Sequence, residues 1–368
     1  MAITPLHPLR CDVFCNVIDN FGDAGVCWRL VRELAEITDW QLRLVVDRPE
    51  LITSLGKSNT DGVTVVAWGD ERAPTDVADI VIEAFSCRIP EPYLDRMRSR
   101  EHPPAWVSLE YLSAEHWIDG CHGLPSPDPR SGMVKHFFFP GFTPTSGGLI
   151  REKRLDALTE KPITDAARRD WLASIGIKSL EGHYLTSLFC YLDSPFAQLF
   201  ESWKHAAQPV QCLLAAGHSV ACQQKIVAIA TAFDVTLSPL PFLTQDDYDR
   251  LLASCDVNFV RGEDSFVRAQ WMKKPFVWQA YRQTEDTHLV KLAAFLDRYR
   301  AGMPPEAAAA IDALYQAWND GAPWTKSLWD DFMAARSTIE QHNRAWSKTL
   351  SSHGNLAENL AAFCESKL

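Results

Sequence analysis

Short apolar runs alternate with amphipathic segments through the first 150 residues. Apolar runs of four to eight residues predict buried strands, whereas apolar positions repeating every three to four residues predict helices. The predicted strands of this half are residues 11–18, 42–46, 63–67, 78–85 and 105–109, and its predicted helices are 24–37 and 92–98. Strands that alternate with helices form parallel sheets. The first half of the chain therefore predicts a parallel α/β domain, with a proline-broken loop at 123–129.

A second series of the same kind follows a charged connection at residues 151–180, which holds one amphipathic helix. The predicted strands are residues 184–192, 210–215, 235–240, 257–260 and 276–279, and helices dominate after residue 286. A chain of 368 residues divides naturally into two domains. We predict an N-terminal domain at 1–160 and a C-terminal domain at 175–345. A last helix at 346–368 is expected to return to the first domain.

Two doubly wound Rossmann-like α/β domains in tandem, facing a central cleft, are typical of GT-B glycosyltransferases. In that architecture the second domain holds the nucleotide-sugar donor and the first presents the acceptor. Phosphorylases and some epimerases share the fold, so the architecture alone leaves the activity open.

Composition narrows the class of protein further. A net charge of −11 disfavours general nucleic-acid binding, which needs a basic surface. No apolar run reaches the roughly 18 residues of a membrane-spanning helix, and the first ten residues lack the apolar segment of a secretion signal. Ten cysteines without a Cys-x-x-Cys pair predict buried, reduced thiols and a cytoplasmic protein.

Two carboxylates and two glycines crowd the turn between the first strand and the first helix, in the run Asp19-Asn20-Phe21-Gly22-Asp23 and the two residues after it. Ligands of open α/β sheets bind at the carboxyl ends of the strands. The turn lacks the Gly-x-Gly-x-x-Gly spacing of a dinucleotide site. Its carboxylates favour a general base or a hydroxyl-binding group over a phosphate cradle. The alternative structural roles are a helix cap for Asp23 and a turn residue for Asp19.

A second polar run, Arg261-Gly262-Glu263-Asp264-Ser265, follows the strand at 257–260 and opens a helix. A helix N-terminus attracts anions, Arg261 offers a bidentate fork for phosphate oxygens, and Gly262 allows close approach of the backbone. These features suit a diphosphate. The alternative is an ordinary helix start capped by Asp264 or Ser265.

Several long runs resemble the elongation factor P arginine rhamnosyltransferase (EarP) family. They are VIDNFGD at 17–23 ahead of WRL at 28–30, FFFPGFT at 137–143, GGL at 147–149, SLFCY at 187–191, NFVRGEDS at 258–265 and QAY at 279–281. The runs occur in the family's order over nearly the whole chain. The resemblance implies a cytoplasmic GT-B enzyme that transfers L-rhamnose from dTDP-β-L-rhamnose to one arginine of elongation factor P. It also implies inversion at the anomeric carbon, rescue of polyproline-stalled ribosomes by the modified factor, and neither a metal nor a cofactor.

The resemblance also assigns roles to single residues. It implies that Asp23 is the general base, with Asp19 and Glu263 as further essential carboxylates. Among the donor-binding residues, Arg261, Asp264 and Ser265 are expected to hold the pyrophosphate, and Gly262 belongs to the same run. Phe242 is expected to stack on thymine, Gln245 to lie near the deoxyribose and Tyr191 to line the nucleotide side. The candidates for the acceptor or sugar side are Asn20, Phe21 and Gly22. For Phe242 and Tyr191 the alternative role is core packing.

Glu110 and Tyr111 follow the strand at 105–109 and are candidates for acceptor contact. Two other functions stay open for the chain as a whole. A GT-B enzyme with another nucleotide sugar and a small-molecule acceptor is one of them. A non-catalytic protein that binds a nucleotide sugar is the other.

Overall fold

The computed structural model describes residues 7–18, 21–56, 62–68, 76–129 and 132–368. Asp19 and Asn20 therefore lie outside the described residues. The chain divides into two compact units. Unit 1 comprises Met1–Lys153 and Leu350–Leu368, and unit 2 comprises Arg154–Thr349.

Unit 1 alternates strands with helices. Its elements before the unit boundary are β1 (Arg10–Cys15), α1 (Phe21–Ile37), β2 (Gln41–Val46), α2 (Pro49–Leu55), β3 (Val63–Ala67), β4 (Ile80–Ala84), α3 (Glu91–Ser99), β5 (Ala105–Leu109), α4 (Ile118–Cys121), β6 (Pro125–Pro127) and β7 (Val134–Phe138). The seven strands form one sheet in the order β3-β2-β1-β4-β5-β7-β6. All neighbours are parallel except β6 and β7. Every residue of the central strand β4 is buried, as expected for a parallel sheet.

Unit 2 repeats this arrangement with more helices. The remaining elements are α5 (Lys153–Thr159), α6 (Asp165–Ser174), β8 (Tyr184–Leu188), α7 (Phe196–Lys204), β9 (Val210–Leu214), α8 (Val220–Ala232), β10 (Thr236–Pro239), α9 (Gln245–Ser254), β11 (Val257–Arg261), α10 (Asp264–Trp271), β12 (Phe276–Gln279), α11 (Thr287–Tyr299), α12 (Pro305–Asn319), α13 (Leu328–Ala334), α14 (Arg336–Ser352) and α15 (Leu356–Glu365). Its five strands are all parallel, in the order β10-β9-β8-β11-β12. The α/β class predicted for both halves is confirmed.

Both sheets share one strand order around their first strand. In unit 1, β1 lies between β2 and β4, and in unit 2, β8 lies between β9 and β11. The chain thus winds outward in one direction and then in the other. Ligands of such sheets bind outside the carboxyl ends of the strands at this reversal. The carboxyl ends of β1 and β4, and of β8 and β11, are therefore where sites are expected.

Several boundaries differ from the sequence predictions. The strands predicted at 11–18 and 184–192 end early, at Cys15 and Leu188, because the apolar residues beyond them leave the sheet to form the turns at its carboxyl edge. The proline-broken loop at 123–129 contains the short antiparallel edge strand β6, a position at which proline is tolerated. The unit boundary falls between Lys153 and Arg154, so the charged segment that follows belongs to unit 2.

The predicted burial of the cysteines is confirmed. All ten cysteines are free and nine of them are buried. Within the described ranges, no helix has the length and apolarity needed to cross a membrane.

The single last helix predicted at 346–368 is wrong in its bounds, because the chain breaks between α14 and α15. The last helix, α15, belongs to unit 1 and is held there by a polar cluster formed by Arg29, Glu33, Glu152 and Asn355. Asn355 is the residue preceding α15, and its Oδ1 accepts the Ala357 N–H at 3.2 Å. Its Nδ2 donates to Glu33 Oε1 at 3.2 Å. Beside this contact, Arg29 Nη1 bonds Glu152 Oε1 at 3.1 Å, with both side chains fully buried. The sequence signal for a helix start at Asn355 is confirmed.

Glu33 is the titrating member of this cluster. Burial raises its pKa from 4.5 to about 7, with smaller contributions from Glu152 and Glu36, while hydrogen bonds from the Lys153 backbone and Asn355 lower it. Between these two pH values the folded state keeps a proton that the unfolded state releases. Because Glu33 ionises in the unfolded chain but not in the folded protein over this range, the free energy of unfolding falls as the pH rises from 4.5 to 7.

We predict that Glu33→Gln removes this loss because glutamine does not ionise. The melting temperature of the variant minus that of the wild type should rise steadily from pH 4.5 to above pH 7. Thermal unfolding followed by circular dichroism over this range measures the difference. Glu101→Gln, at an exposed position in the loop between α3 and β5, is the control and should give a flat difference. A flat difference for both variants would show that Glu33 titrates normally.

Candidate active site

The carboxyl end of β1 is fixed by residues that follow β2. The Val17 N–H donates to Asp47 Oδ1 at 2.9 Å, and Arg48 Nη2 donates to the Val17 carbonyl oxygen at 2.9 Å. These two bonds hold the backbone of Val17 from both sides. The chain therefore leaves the sheet in a defined direction before it enters α1.

Asp23 is the third residue of α1 and only 3% exposed. Its Oδ2 accepts the Ile18 N–H at 2.8 Å, and its Oδ1 lies 3.3 Å from the Tyr111 hydroxyl. Phe21 and Gly22 form the same first helical turn. The carboxylate is thus oriented through both of its oxygens.

A thiol nucleophile is excluded beside this carboxylate. Cys27 lies one turn further along α1, and its pKa is raised by its hydrogen bond with Cys15, by burial, and by the nearby charge of Asp23. Burial raises the pKa of Cys87, on the neighbouring strand end, in the same way. These sulfurs stay protonated, and thiols are weak nucleophiles in that form. Asp23, by contrast, places a carboxylate at this turn.

In unit 2, Arg261 stands at the end of β11 and is held between two aromatic rings. Its guanidinium carbon is 4.2 Å from the Phe189 ring centroid and 4.6 Å from that of Tyr191. Nη1 donates to the Cys190 carbonyl oxygen at 3.1 Å and Nη2 to that of Gly217 at 3.3 Å. The cation is therefore positioned before any ligand binds, at the crevice between β8 and β11.

The turn after Arg261 leads directly into α10. Ser265 Oγ accepts the Arg261 N–H at 3.3 Å and also donates to the Arg261 carbonyl oxygen, so this hydroxyl closes the turn. Gly262 has a φ of +65°, a left-handed conformation that suits glycine, and its carbonyl oxygen accepts the Trp278 Nε1–H at 2.9 Å. The alternative in which Asp264 or Ser265 caps the helix is wrong. Glu263 occupies the capping position, without a side-chain capping bond.

Two side-chain contacts connect α9 with α10. Gln245, the first residue of α9, donates from Nε2 to Asp264 Oδ2 at 3.4 Å. Further along, Arg268 forms a two-bond ion pair with Asp249, at 3.0 Å from Nε to Oδ1 and 2.7 Å from Nη2 to Oδ2. Both side chains of this pair are almost completely buried. The pair ties the last turn of α10 to α9.

Aromatic side chains stand exposed at the same edge of the sheet. Phe242, after β10, is 45% exposed and Tyr281, after β12, is 59% exposed. The Tyr191 ring meets Tyr281 edge to face, with centroids 5.5 Å apart. Core packing is therefore the wrong role for Phe242, whose exposed ring can stack on a planar ligand. Tyr191 is half-buried and contacts both Arg261 and Tyr281.

Sequence reasoning missed two buried residues that organise this edge. His218, after β9, accepts the Cys190 N–H at Nε2 (3.2 Å), and its Nδ1 lies 2.7 Å from the Ala215 carbonyl oxygen. Gln279 Oε1 accepts the Tyr191 N–H and the Ser194 hydroxyl, each at 2.8 Å. Both follow the rule that pointed to Arg261, since each lies at or just beyond the carboxyl end of a strand.

The His218 imidazole is held neutral. Burial lowers its pKa from 6.5 to about 4, and the charge of Arg261 contributes to this, against an opposing hydrogen bond to Ala215. Because Nε2 accepts a bond, Nδ1 carries the proton and donates to the Ala215 carbonyl oxygen. His218 therefore fixes Cys190, whose carbonyl oxygen in turn holds Arg261.

The donor set suits an organic ligand. Among the residues that the structure describes, no three His, Cys, Asp or Glu side chains are grouped so that they could hold a metal ion. The edge of unit 2 instead offers a fixed cation, a helix N-terminus and exposed aromatic rings. These groups match a diphosphate joined to a planar base.

Comparison with known proteins decides the family. The sequence profile of the Elongation-Factor P (EF-P) rhamnosyltransferase EarP matches residues 11–365. The chain belongs to the EarP family. A protein-arginine rhamnosyltransferase of Pseudomonas aeruginosa is 41% identical, over 96% of this chain and 98% of that protein. One of Neisseria meningitidis is 35% identical, over 97% of each chain.

Solved structures establish the fold of this EarP-family chain. An EarP structure from work on arginine glycosylation of translation elongation factor EF-P matches with a TM-score of 0.68 and 30% identity, over 98% of this chain and 100% of that one. A glycosyltransferase of Rickettsia africae, only 12% identical, matches with a TM-score of 0.52 over 97% of this chain and 98% of that one. The predicted GT-B fold is confirmed, and the chain is a glycosyltransferase.

We predict that Asp249→Ala destabilises unit 2 by about 3–5 kcal/mol, because breaking a buried ion pair leaves a charge in an apolar environment. Urea unfolding measures the loss. Asp246→Ala is the control on the same helix, since Asp246 is exposed and lies 3.6 Å from Arg154, and it should cost at most about 1 kcal/mol. Equal losses in the two variants would contradict the role given to the pair.

We further predict that His218→Leu weakens binding of a nucleoside diphosphate, with dTDP as the probe, about ten-fold, because loss of one buried hydrogen bond releases Cys190 and loosens Arg261. Isothermal titration calorimetry measures the dissociation constant. His205→Leu, at an exposed position in the same unit, should leave it unchanged. Unaltered dTDP affinity in His218→Leu would show that Arg261 is held without this histidine.

Proposed function

We propose that the protein is an inverting protein-arginine rhamnosyltransferase, with dTDP-β-L-rhamnose as donor and an arginine of elongation factor P as acceptor. The observation that carries this proposal is Asp23, a buried carboxylate oriented through both oxygens at the carboxyl end of β1 in a chain of the EarP family. The proposed acceptor acts in translation, so the reaction would take place in the cytoplasm.

A carboxylate meets the chemical need of this reaction. A guanidinium has a pKa above about 12, and its nitrogen lone pairs are delocalised, so it is a poor nucleophile. A carboxylate that accepts a hydrogen bond from the attacking nitrogen can take its proton as the new bond forms. We assign this role to Asp23. Asp19, which lies outside the described residues, is proposed as a second carboxylate that orients the guanidinium plane.

The proposed step is a single displacement at the sugar. The arginine nitrogen forms a bond to C1 of rhamnose while the bond from C1 to the diphosphate oxygen breaks. The proton of that nitrogen passes to Asp23, and the electron pair of the broken bond leaves with dTDP. Attack opposite the leaving group inverts the anomeric centre. The transition state has oxocarbenium character, which nearby carboxylates favour, and Glu263 is the proposed carboxylate of unit 2.

The leaving diphosphate needs positive partners. We propose that Arg261 and the first turn of α10 supply them, with Gly262, Asp264 and Ser265 shaping the turn. The aromatic contacts of Arg261 and its bonds to Cys190 and Gly217 support this role, because a fixed cation costs no reorganisation during the reaction. No metal or cofactor is proposed.

The nucleoside would bind on the aromatic side of the same edge. We propose that Phe242 stacks on thymine, since its ring is exposed. Gln245 and Tyr191 are proposed for the deoxyribose and the nucleotide side. Phe21 and Gly22, in the turn that holds Asp23, are proposed for the acceptor or sugar side together with Asn20, which lies outside the described residues.

The test is intact-mass spectrometry of elongation factor P from the same bacterium, incubated with this protein and dTDP-L-rhamnose. We expect a gain of one deoxyhexose on arginine, lost by at least about a hundred-fold in rate with Asp23→Asn. Glu36→Gln, an exposed change on the same helix, should retain full activity. No gain in mass while dTDP still binds would refute the proposed acceptor and point to a small-molecule glycosyltransferase. Unchanged transfer by Asp23→Asn would refute the proposed base.

Recognition of the acceptor is expected to require its folded N-terminal domain, since one arginine offers too little surface for specificity. The same assay, run on the isolated acceptor-loop peptide, should give far slower transfer than on the intact factor. Equal rates on both would contradict this.

A further inference from the structure

We propose that Tyr111 is a positioning residue for transfer, holding the Asp23 carboxylate through its hydroxyl. The inference rests on the proposed function, in which Asp23 takes the proton of the acceptor. The contact itself is the 3.3 Å approach of the Tyr111 hydroxyl to Asp23 Oδ1. Tyr111 follows β5, so the bond connects residues from separate parts of the sheet edge.

The ring of Tyr111 is itself held in place. It stacks on Phe85, with centroids 4.5 Å apart and ring planes 16° from parallel. Stacked aromatic pairs contribute about 0.5–1.5 kcal/mol beyond the area that they bury. Phe85 is buried, whereas Tyr111 is 43% exposed. The exposed tyrosine therefore lies on a fixed aromatic support, with its hydroxyl on a carboxylate that is almost inaccessible.

The support depends on a strained corner at the end of β4. Phe85 and Ser86 both have left-handed backbones, with φ values of +56° and +54°. Such conformations are uncommon for residues other than glycine, and they persist where the surroundings impose them. The corner is tied to β5 by the Phe85 N–H, which donates to the Leu109 carbonyl oxygen at 2.7 Å. This conformation carries the Phe85 ring to the place where it supports Tyr111.

A second connection braces the residue before Tyr111. Glu110 accepts the Ser108 hydroxyl at Oε1 (2.8 Å) and the Ser86 hydroxyl at Oε2 (3.2 Å). Its backbone N–H donates to the Phe138 carbonyl oxygen at 2.9 Å. Glu110 is thus bonded through its side chain to β5 and to the corner after β4, and through its backbone to β7.

The Tyr111 hydroxyl fixes the orientation of the Asp23 carboxylate. A carboxylate offers about four lone-pair positions, and the bonds from Ile18 and Tyr111 use one on each oxygen. Two donors on different oxygens fix the carboxylate plane. A small misplacement of a reacting group costs rate more than binding, so the expected effect of losing the hydroxyl is on kcat.

Tyr111→Phe is the informative variant because it removes the hydroxyl and keeps the ring on Phe85. We expect kcat for transfer to elongation factor P to fall about ten-fold or more, as for loss of one hydrogen bond to a charged group. KM for dTDP-L-rhamnose should stay within about two-fold, since only the carboxylate geometry changes. The melting temperature should fall by no more than about 4 °C, because one hydrogen bond contributes about 1 kcal/mol to stability. Tyr184→Phe, at the amino end of β8 in unit 2, is the matched control and should have the kcat and KM of the wild type.

Tyr111→Leu separates the two contributions of the side chain. It removes both the stack and the hydroxyl, and should lower kcat at least as far as Tyr111→Phe. Wild-type kcat in Tyr111→Phe would overturn the proposal, because the ring alone would then suffice. A rise in donor KM with unchanged kcat, or a rate loss matched by a comparable loss of thermal stability, would overturn it as well.

Failure of the proposed function gives a different result. If the wild type does not modify elongation factor P, the proposed reaction is refuted. If wild type and Asp23→Asn are equally active, the proposed role of Asp23 as base is refuted. With the wild type active and Asp23→Asn inactive, the Tyr111 variants decide the inference on its own.

Discussion

The reversal of strand order in each parallel sheet is the constraint on which the rest of this structure depends. From β1 the chain first adds β2 and β3 on one side, and then returns to add β4 and β5 on the other side. From β8 it adds β9 and β10 on one side, and then β11 and β12 on the other. The turns that follow β1 and β4, or β8 and β11, therefore diverge and leave a crevice. Asp23 and Tyr111 lie at this edge in unit 1, and Arg261 and Tyr191 lie at it in unit 2. The chemistry of each unit follows from which side chains the turns carry.

Both edges are organised before any ligand is bound. Arg261 is surrounded by two rings and two carbonyl oxygens, and Asp23 by a backbone N–H and a tyrosine hydroxyl. Neither arrangement maximises stability, because each commits a charged side chain to a partly or fully desolvated position. Such an arrangement is what fast group transfer needs, since groups that are already oriented spend no free energy on reorganisation. The buried Arg268–Asp249 pair and the cluster around Glu33 then secure the helices on which these residues depend.

Much of the fold was predictable from the sequence because apolar runs and helix starts are local signals. The runs at 105–109 and 276–279 are strands with the predicted limits, and Asn355 starts the last helix as predicted. The helix at Val220–Ala232 was missed, since its residues are apolar on most sides and lack a clear amphipathic period. The edge strand Pro125–Pro127 was missed because proline obscures a strand in sequence.

The candidate site was only partly predictable. Asp23 and Arg261 stand out in the sequence because each is a charged residue at or close behind the end of a buried apolar strand. The contact of Tyr111 with Asp23 spans 88 positions, and that of His218 with Cys190 spans 28, so no local pattern reports either. The left-handed corner at Phe85 and Ser86 was equally hidden, because neither residue is typical of positive φ.

The central claim is that the carboxyl edge of unit 2 binds the donor while that of unit 1 supplies the base. Calorimetric titration of dTDP into the wild type, Asp23→Asn and Arg261→Ala tests it most directly, with transfer rates measured on the same samples. We expect Asp23→Asn to bind dTDP within about two-fold of the wild type while transfer is lost, and Arg261→Ala to bind dTDP at least about ten-fold more weakly. Equal weakening of dTDP binding in both variants would contradict this division of labour between the two units.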